Sequence, residues 1–228
     1  MITKSLASQL FKLFLDRDVG QTEEDTTITY SKFPLLKIKV TTPETTLTLD
    51  AYLSGQQSNF STSVVKTKKG DLFIVLDSAA VQMYLADDMS EVFRALVSHD
   101  IGHVLSGHFD EDSDKSWVTV NKADQVFLYD RYQENPTFNN KMAYARSVFF
   151  SLMRGGVLDK EIEADMVALS FCTVESLVTL HGFDLEKMDN PFTVLEKKNR
   201  IVELLRYWKE TVIDRSGYML EISAAKRD

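Results

Sequence analysis

Three of the four histidines of this 228-residue chain lie within ten positions, in the segment "LVSHDIGHVLSGH" (residues 96–108). His99 and His103 are four residues apart, so on an α-helix they share one face, one turn apart. Two imidazoles at this spacing can bind one tetrahedral Zn²⁺ ion through ring nitrogens at about 2.0–2.1 Å. An acid, Asp100, directly follows the first histidine. The segment therefore predicts a metal site on a helix, with a carboxylate at its flank.

The helix that carries these histidines is predicted to be buried. Between Arg94 and His108, the only charged residue is Asp100, and a helix without a charged face packs between other elements. Imidazoles and a carboxylate in such a helix require partners, because burying them unpaired is costly. His108 is interpreted as a helix-end residue, where the helix dipole favours its ring. A helix that continues through residue 108 turns it away from the pair, whereas a helix that ends at Gly107 could swing it back.

A second candidate segment, "DKEIEADMVALSFCTVESL" (residues 159–177), follows later in the chain. On a helix, Glu161 and Asp165 share one face, while Glu163 points to the opposite side. Catalytic zinc requires a third protein ligand, and Glu161 is a candidate, although a carboxylate at a helix start is also common for electrostatic reasons. Asp165 lies one turn further in, among apolar residues, where a carboxylate can accept the second N–H of a metal-bound imidazole. Cys172 lies about 16 Å along the axis from Glu161 and is predicted to be a core residue.

Together, "SEVFRALVSHDIGHVLSGH" and "EIEADMVAL" resemble the gluzincin metallopeptidases of the HtpX and CAAX prenyl-protease type. Their pattern is H-E-x-x-H followed by E-x-x-A-D on a later helix, and the resemblance extends over about residues 71–205. It implies that His99, His103 and Glu161 bind one Zn²⁺ ion and that Asp165 orients a ligand from behind. It also implies hydrolysis of a peptide or protein substrate by a zinc-activated water.

The acid after the first histidine departs from that pattern. In the family it is a glutamate, which acts as general base on the zinc-bound water. Asp100 is shorter by one carbon–carbon bond, about 1.5 Å, and a misplacement of about 1 Å can reduce a rate on the order of 100-fold. Two hypotheses stay open: Asp100 is the catalytic base of a weakened peptidase, or the chain is a catalytically inactive zincin-like protein for binding or assembly.

A third hypothesis comes from "SHDIGHVLSGHF", which also resembles the HD-domain phosphohydrolases. There His99 and Asp100 would both bind metal. That family is predominantly helical and requires a histidine from an earlier helix, but no histidine precedes His99. The carboxylate that contacts the metal, Asp100 or Glu161, separates this hypothesis from the gluzincin one.

No group that would stabilise an oxyanion is identified. On a straight helix over residues 158–181, His181 falls on the face opposite Glu161. Arg200 and Tyr207 are candidates only by position, so all three are interpreted as structural residues.

The elements around the motifs predict a single α+β, zincin-like domain. Segments within residues 26–78 alternate apolar and polar residues between short turns, which favours a mostly antiparallel sheet. "DLFIVLDS" (71–78) is more continuously apolar, which suits a buried strand. In the zincin-like arrangement we expect it to be the edge strand along which a peptide could pair. The predicted parts are residues 1–70 (an N-terminal helix and strands), 71–212 (the metal-site core) and 213–228 (a C-terminal tail).

Helical periodicity predicts the remaining elements. Apolar residues recur at helical spacing over residues 6–14, near the N-terminus. A polar segment between residues 109 and 141 is expected to run irregularly over the surface. The other helices are predicted at about 88–107, 141–155, 158–181 and 192–212.

Composition limits the partners. The formal net charge of −8 argues against nucleic acid, because phosphate binding requires a basic surface. Cys172 is the only cysteine, which excludes an internal disulfide. The N-terminus lacks the pattern of a signal peptide, and no stretch reaches the length of a membrane span. We therefore expect a soluble, cytoplasmic protein that acts on a peptide or protein; its oligomeric state is not predicted.

Overall fold

A computed structural model of the chain describes residues 17–21, 27–55, 62–67, 69–109, 129–141, 144, 157–187 and 191–225. These residues form the mixed α+β structure that the sequence predicts. The helix predicted over residues 6–14 lies outside the described residues, as does most of the one predicted at 141–155. Residues 129–134 and 138–141 are helical, so the expectation of an irregular segment is wrong for this part of it.

Seven strands are found in the described part of the chain: β1 (Arg17–Gln21), β2 (Thr27–Ser31), β3 (Leu36–Thr41), β4 (Thr46–Leu53), β5 (Thr62–Lys66), β6 (Leu72–Leu76) and β7 (Met219–Ala224). β1 and β2 pair with each other. The other five strands form one sheet in the order β5–β6–β4–β3–β7. Within this sheet β4 and β6 are parallel, and all other neighbours are antiparallel. The prediction of a mostly antiparallel sheet is confirmed.

The alternation of buried and exposed side chains along β3 illustrates why these segments are strands. Leu36, Ile38 and Val40 are buried in the core, whereas Lys37 and Lys39 between them are exposed. A period of two puts each set on its own face of the sheet. The buried face of β3 therefore supports the helices that carry the site.

The prediction that residues 71–78 form an edge strand is wrong. β6 pairs with β5 on one side, where Val65 lies opposite Phe73, and with β4 on the other, where Ala51 lies opposite Ile74. Its continuous run of buried apolar residues is typical of a strand that is covered on both faces, and such strands lie inside a sheet. Among the described strands, β5 and β7 form the two edges.

β7 lies within residues 213–228, which were expected to be a tail. It pairs with β3 over its whole length, with Leu220 opposite Val40. Leu220 belongs to the main hydrophobic core. The apolar positions of "MLEISA" are too few for their alternation to distinguish a strand from a polar terminus, so only the pairing partner identifies it.

The fully bounded helices are α1 (Ser78–Leu85), α2 (Ser90–Leu105), α3 (Val157–Ala168), α4 (Val174–Lys187) and α5 (Pro191–Glu210). α2 and α5 agree with the predicted helices at 88–107 and 192–212 to within two residues at each end. α2 contacts α1, α3, α4 and β5, and most of its residues are buried. The expectation that this helix is buried is confirmed.

The prediction of one continuous helix over residues 158–181 is wrong, because the chain forms two helices, α3 and α4, with a loop between them. The hydroxyl of Thr173 accepts the N–H of Ser176 at 3.1 Å, which caps the start of α4. Arg215 donates to the carbonyls of Leu169 and Cys172 in the loop, at 3.0 and 2.9 Å. These partners satisfy backbone groups that a continuous helix would have paired internally.

Gly102 allows α2 and α3 to approach closely. A Cβ atom at this position would lie 2.8 Å from both the carbonyl carbon and the Cα of Ala164, closer than real Cβ atoms come. Ala164 is itself fully buried. This backbone contact lies one residue from His103 on α2 and three residues from Glu161 on α3, so it sets how near the two helices bring those side chains.

Within the described residues, no helix is both long and apolar enough to span a bilayer. The cytoplasmic location and the exclusion of a nucleic-acid partner stay predictions.

Candidate metal centre

The two histidines of α2 face the same point. The Nε2 atoms of His99 and His103 are 3.2 Å apart, and their rings meet edge to face with centroids separated by 4.7 Å. Both rings are largely buried. The one-turn spacing on α2 is therefore sufficient to bring the two nitrogens together.

Glu161 completes a group of three. One carboxylate oxygen, Oε2, lies 3.2 Å from Nε2 of His99, and the other, Oε1, lies 3.3 Å from Nε2 of His103. Glu161 is on the second turn of α3, the helix that contacts α2 at Gly102. The structure thus brings together the three residues that the sequence analysis assigned as ligands.

The separations within this group fit a metal ion. Two ligand atoms at 2.0–2.1 Å from a tetrahedral zinc ion are about 3.3–3.4 Å apart. The two Nε2 atoms are 3.2 Å apart, and each lies 3.2–3.3 Å from a different oxygen of Glu161. Among the described residues, these three form a group that could hold a metal ion. Two neutral imidazoles and one carboxylate are also a ligand set that catalytic zinc uses.

Asp165 holds His99 from behind, as the sequence analysis expected. Its Oδ1 lies 2.9 Å from Nδ1 of His99, and the residue is only 1% exposed. A proton on Nδ1 that is donated to this carboxylate leaves the Nε2 lone pair free to point at the metal position. The contact fixes both the tautomer and the orientation of the ring.

Arg200, on α5, is a site residue that the sequence analysis interpreted as structural. Its Nε and Nη2 atoms donate to the two oxygens of Asp165 at 2.8 and 2.9 Å, and Nη1 donates to Oε2 of Glu161 at 2.7 Å. The side chain is 2% exposed. One signal could have identified it: the predicted burial of Asp165 requires a cation, and Arg200 lies one helical turn before the apolar Leu204.

His181 also contacts Asp165, so the prediction that it lies on the opposite face is wrong. Its Nε2 is 3.0 Å from Oδ2 of Asp165. The reason is the loop between α3 and α4, which redirects the chain so that α4 packs against α2 and α5. Burial, the largest influence, lowers the pKa of His181 to about 4, so the ring is neutral and donates from Nε2. Asp165 therefore accepts hydrogen bonds from three different side chains.

The charges of the site are strongly coupled. Burial and the nearby guanidinium act to lower the pKa of His99, but the carboxylates of Asp165 and Glu161 outweigh them and raise it to about 9. Burial acts to raise the pKa of Glu161, yet hydrogen bonds from His103 and His99, together with Arg200, hold it well below its usual range. Without metal, the ring of His99 is therefore protonated on both nitrogens at neutral pH, and a bound ion would have to displace the proton on Nε2.

Asp100 is buried beside the metal group but is not part of it. Burial raises the pKa of its carboxyl, while His99 and a hydrogen bond from the side chain of Thr62 act in the opposite direction. Within the described part of the chain, Oδ2 of Asp100 has no hydrogen-bond partner. Asp100 therefore lies between the histidine pair and Thr62, the first residue of the edge strand β5. Its Oδ2 is available to accept a hydrogen bond.

His108 does not turn away from the pair, as it would on a helix that continued through residue 108. Its Nδ1 lies 2.8 Å from Nδ1 of His103. Gly107 has a positive φ of 69°, which reverses the chain directly after α2 and brings the next residue back over the last turn. Glu163 points away from the metal group, as expected, and its Oε2 is 3.2 Å from Nε2 of His108.

No protein-family model matches this chain, and neither a curated protein nor a solved structure is significantly similar to it.

Proposed function

We propose that the chain is a zinc-dependent metallopeptidase with a zincin-like fold, which hydrolyses a bond in a peptide or protein substrate. The single observation that carries the proposal is the grouping of His99, His103 and Glu161: their two Nε2 atoms are 3.2 Å apart, and a different oxygen of Glu161 lies 3.2–3.3 Å from each, close to the separation of two ligand atoms on tetrahedral zinc. The contact of Asp165 with His99 supports it, because outer partners of this kind accompany metal-bound histidines.

The residues divide the chemistry between them. A zinc ion at this position would polarise the substrate carbonyl and lower the pKa of its water to about 7. Asp100 would accept the proton of that water on Oδ2 and return it to the leaving amine. Its raised pKa suits this role, because a base works best when its pKa approaches the working pH. Asp165 and Arg200 hold His99 and Glu161 in place without touching the substrate.

The geometry disfavours the phosphohydrolase alternative. In that class Asp100 would be a direct ligand, whereas here Glu161 is the carboxylate that lies within 3.3 Å of both Nε2 atoms. The described residues between 17 and 76 also form strands rather than helices. The inactive zincin-like protein for binding or assembly is the alternative that Asp100 favours, because its shorter side chain reaches less far than glutamate.

Metal analysis tests the zinc site. Protein stripped with a chelator and reloaded should bind one zinc ion per chain, and His99→Ala and Glu161→Ala should each abolish stoichiometric binding. Glu175→Ala, which changes an exposed glutamate on α4, is the matched control and should retain the ion. Stoichiometric zinc in both site variants would refute the proposed ligand set.

Activity on an unstructured peptide mixture tests the role of Asp100. The wild-type protein should cleave peptides when zinc is bound, and Asp100→Asn should bind zinc without cleaving. Asp100→Glu separates a weak enzyme from an inactive one. Cleavage by the Asp100→Glu variant alone would mean that the natural chain is the non-catalytic form.

A further inference from the structure

The end of α2 has a geometry that brings two histidines into contact. The N–H of His108 donates to the carbonyl of His103 at 3.1 Å, and the N–H of Gly107 donates to the carbonyl of Val104 at 3.2 Å. Gly107 has φ of 69°. These are the two hydrogen bonds and the left-handed glycine of a Schellman motif. The motif places residue 108 directly over residue 103 whatever side chain it carries.

The side chains extend this contact to the surface. Nδ1 of His108 is 2.8 Å from Nδ1 of His103, and Nε2 of His108 is 3.2 Å from Oε2 of Glu163. The side chain of His108 is 8% exposed, whereas that of Glu163 is 59% exposed. A continuous row of contacts therefore runs from a proposed ligand, through a buried ring, to a carboxylate in solvent.

The direction of the hydrogen bonds follows from the role of His103. If Nε2 of His103 binds the ion, the proton of the neutral ring is on Nδ1, which is then a donor. Nδ1 of His108 must accept that hydrogen bond, so its own proton is on Nε2. That N–H in turn points at the carboxylate of Glu163. One set of tautomers therefore satisfies both contacts.

We propose that His108 and Glu163 are positioning residues for the metal ligand His103, which they hold through an imidazole-to-carboxylate chain. The proposal rests on the proposed zinc site and deepens it. His99 and His103 are then both oriented through Nδ1, the ring nitrogen that faces away from the metal position. Buried Asp165 contacts Nδ1 of His99, and His108, which is itself held by the surface carboxylate of Glu163, contacts Nδ1 of His103. Metal affinity would thus depend on Glu163, a residue that does not touch the metal group.

A purely structural role for His108 makes a different prediction. A histidine at a helix end stabilises the dipole, and its removal would reduce the stability of the fold without a specific effect on metal binding. The Schellman hydrogen bonds use the backbone of residue 108, so they persist in His108→Ala. This variant therefore removes the contact to His103 while it keeps the chain reversal at Gly107.

Zinc affinity, measured by competition with a chromogenic chelator, distinguishes the two roles. His108→Ala should weaken zinc binding by about 10–100-fold, as loss of an outer partner of a ligand histidine does. Glu163→Ala should weaken it less, because its carboxylate is largely solvated. In the double variant the Glu163→Ala change should have no further effect, since Glu163 acts through His108. Glu91→Gln, an exposed charge on the first turn of α2, should leave the affinity unchanged.

The tautomers provide a second readout. In zinc-loaded protein labelled with ¹⁵N-histidine, NMR should show His103 protonated on Nδ1 and His108 on Nε2. A proton on Nδ1 of His108, or unchanged zinc affinity in both His108→Ala and Glu163→Ala, would overturn this proposal and leave the zinc site intact. Failure of the wild-type chain to bind zinc would overturn both. If His108→Ala does not fold, the zinc affinity of Glu163→Ala and the NMR spectrum of the wild-type protein still distinguish a positioning role from a purely structural one.

Discussion

Asp165 connects more of the site than any ligand does. His99, His181 and Arg200 reach its two oxygens from three different helices, at distances of 2.8 to 3.0 Å. A carboxylate has about four positions for hydrogen-bond donors, so the contacts use its capacity nearly in full. Because Arg200 also holds Glu161, Asp165 supports the proposed ligands on both α2 and α3.

Asp165→Asn should therefore destabilise the protein and weaken its zinc site together. The variant leaves the guanidinium of Arg200 without its main counterion in a buried place, which costs about 3–5 kcal/mol when one partner of a buried pair is removed. Urea unfolding of the metal-free protein measures this loss. Asp88→Asn, an exposed aspartate before α2, is the control and should change the stability little. Equal midpoints for the two variants would contradict the role given to Asp165.

Asp100, unlike Asp165, is expected to lower the stability of the folded protein. It is 5% exposed, and its Oδ2 has no hydrogen-bond partner in the described part of the chain, so its carboxylate opposes folding. Asp100→Asn should stabilise the metal-free protein at neutral pH, because it removes the negative charge whose burial raises the pKa of this carboxyl. A residue that lowers stability in this way is typical of a site kept for chemistry.

The sign of the pH dependence follows from the raised pKa of Asp100. The folded state holds the proton more tightly than the unfolded chain, so the cost is absent in acid and develops as the pH rises above the ordinary value near 3.8. The gain from Asp100→Asn should accordingly be present at pH 7, shrink as the pH falls through the raised pKa of the folded state, and be nearly absent below about pH 4. Thermal melts over this range measure it, and a gain that increases in acid would be inconsistent with a buried, ionised Asp100.

At the scale of elements, the site depends on how closely α2 and α3 approach. Gly102→Ala introduces a Cβ that would lie 2.8 Å from backbone atoms of Ala164, which cannot move aside as a flexible side chain could. The helices must separate, so Glu161 should move away from both histidines and zinc affinity should fall, with a loss of stability of about 1–3 kcal/mol.

Gly182→Ala is the matched control for this change. Gly182 is also helical, on α4, but a Cβ there meets no atom within 4 Å. The substitution should stabilise the protein by up to about 1 kcal/mol, because alanine favours helix more than glycine does. Chelator competition and urea unfolding compare the two variants. Zinc affinity that is retained in Gly102→Ala would show that the close contact does not set the ligand geometry.

The parts of the site that the sequence predicts are those that depend on spacing within one helix. His99 and His103, and likewise Glu161 and Asp165, need only a continuous helix to share a face. His181 was misplaced because its position depends on where a helix ends, and that end is stabilised by Arg215, 46 residues beyond the loop carbonyl it contacts. Such a contact leaves no periodic signal in the local sequence.

The same limit applies to His108. Its place depends on a single left-handed residue, Gly107, and a helical wheel that is continued through this glycine turns the ring the wrong way. Arg200 could be placed on a buried helix face by periodicity, but not opposite Asp165, because helix packing angles are not encoded in spacing. Local geometry, including the place of Asp165 behind the ligand face, was predictable, whereas the contacts of His108, His181 and Arg200 required the assembled fold.

At the scale of the whole molecule, the C-terminal strand supports α2, the helix that carries His99 and His103. β7 forms the border of the sheet beside β3, and the carbonyl of Leu220 accepts a hydrogen bond from Arg94 of α2 at 3.1 Å. Arg94 also donates to the carbonyl of Phe171 in the loop between α3 and α4, at 2.8 Å. One arginine thus connects the sheet edge, the metal helix and the loop that redirects His181.

Leu220→Ala tests whether this strand is part of the core or a dispensable terminus. Leu220 is 3% exposed and packs in the main core, so the variant should lose about 2–5 kcal/mol, the usual cost of removing a buried leucine side chain. Met219→Ala, at the neighbouring position that is 49% exposed, should change the stability little, because its side chain lies on the other face of the strand. Urea unfolding gives both values. If the two variants were equally stable, β7 would be peripheral, and its hydrogen bond to Arg94 could not support α2 from the sheet.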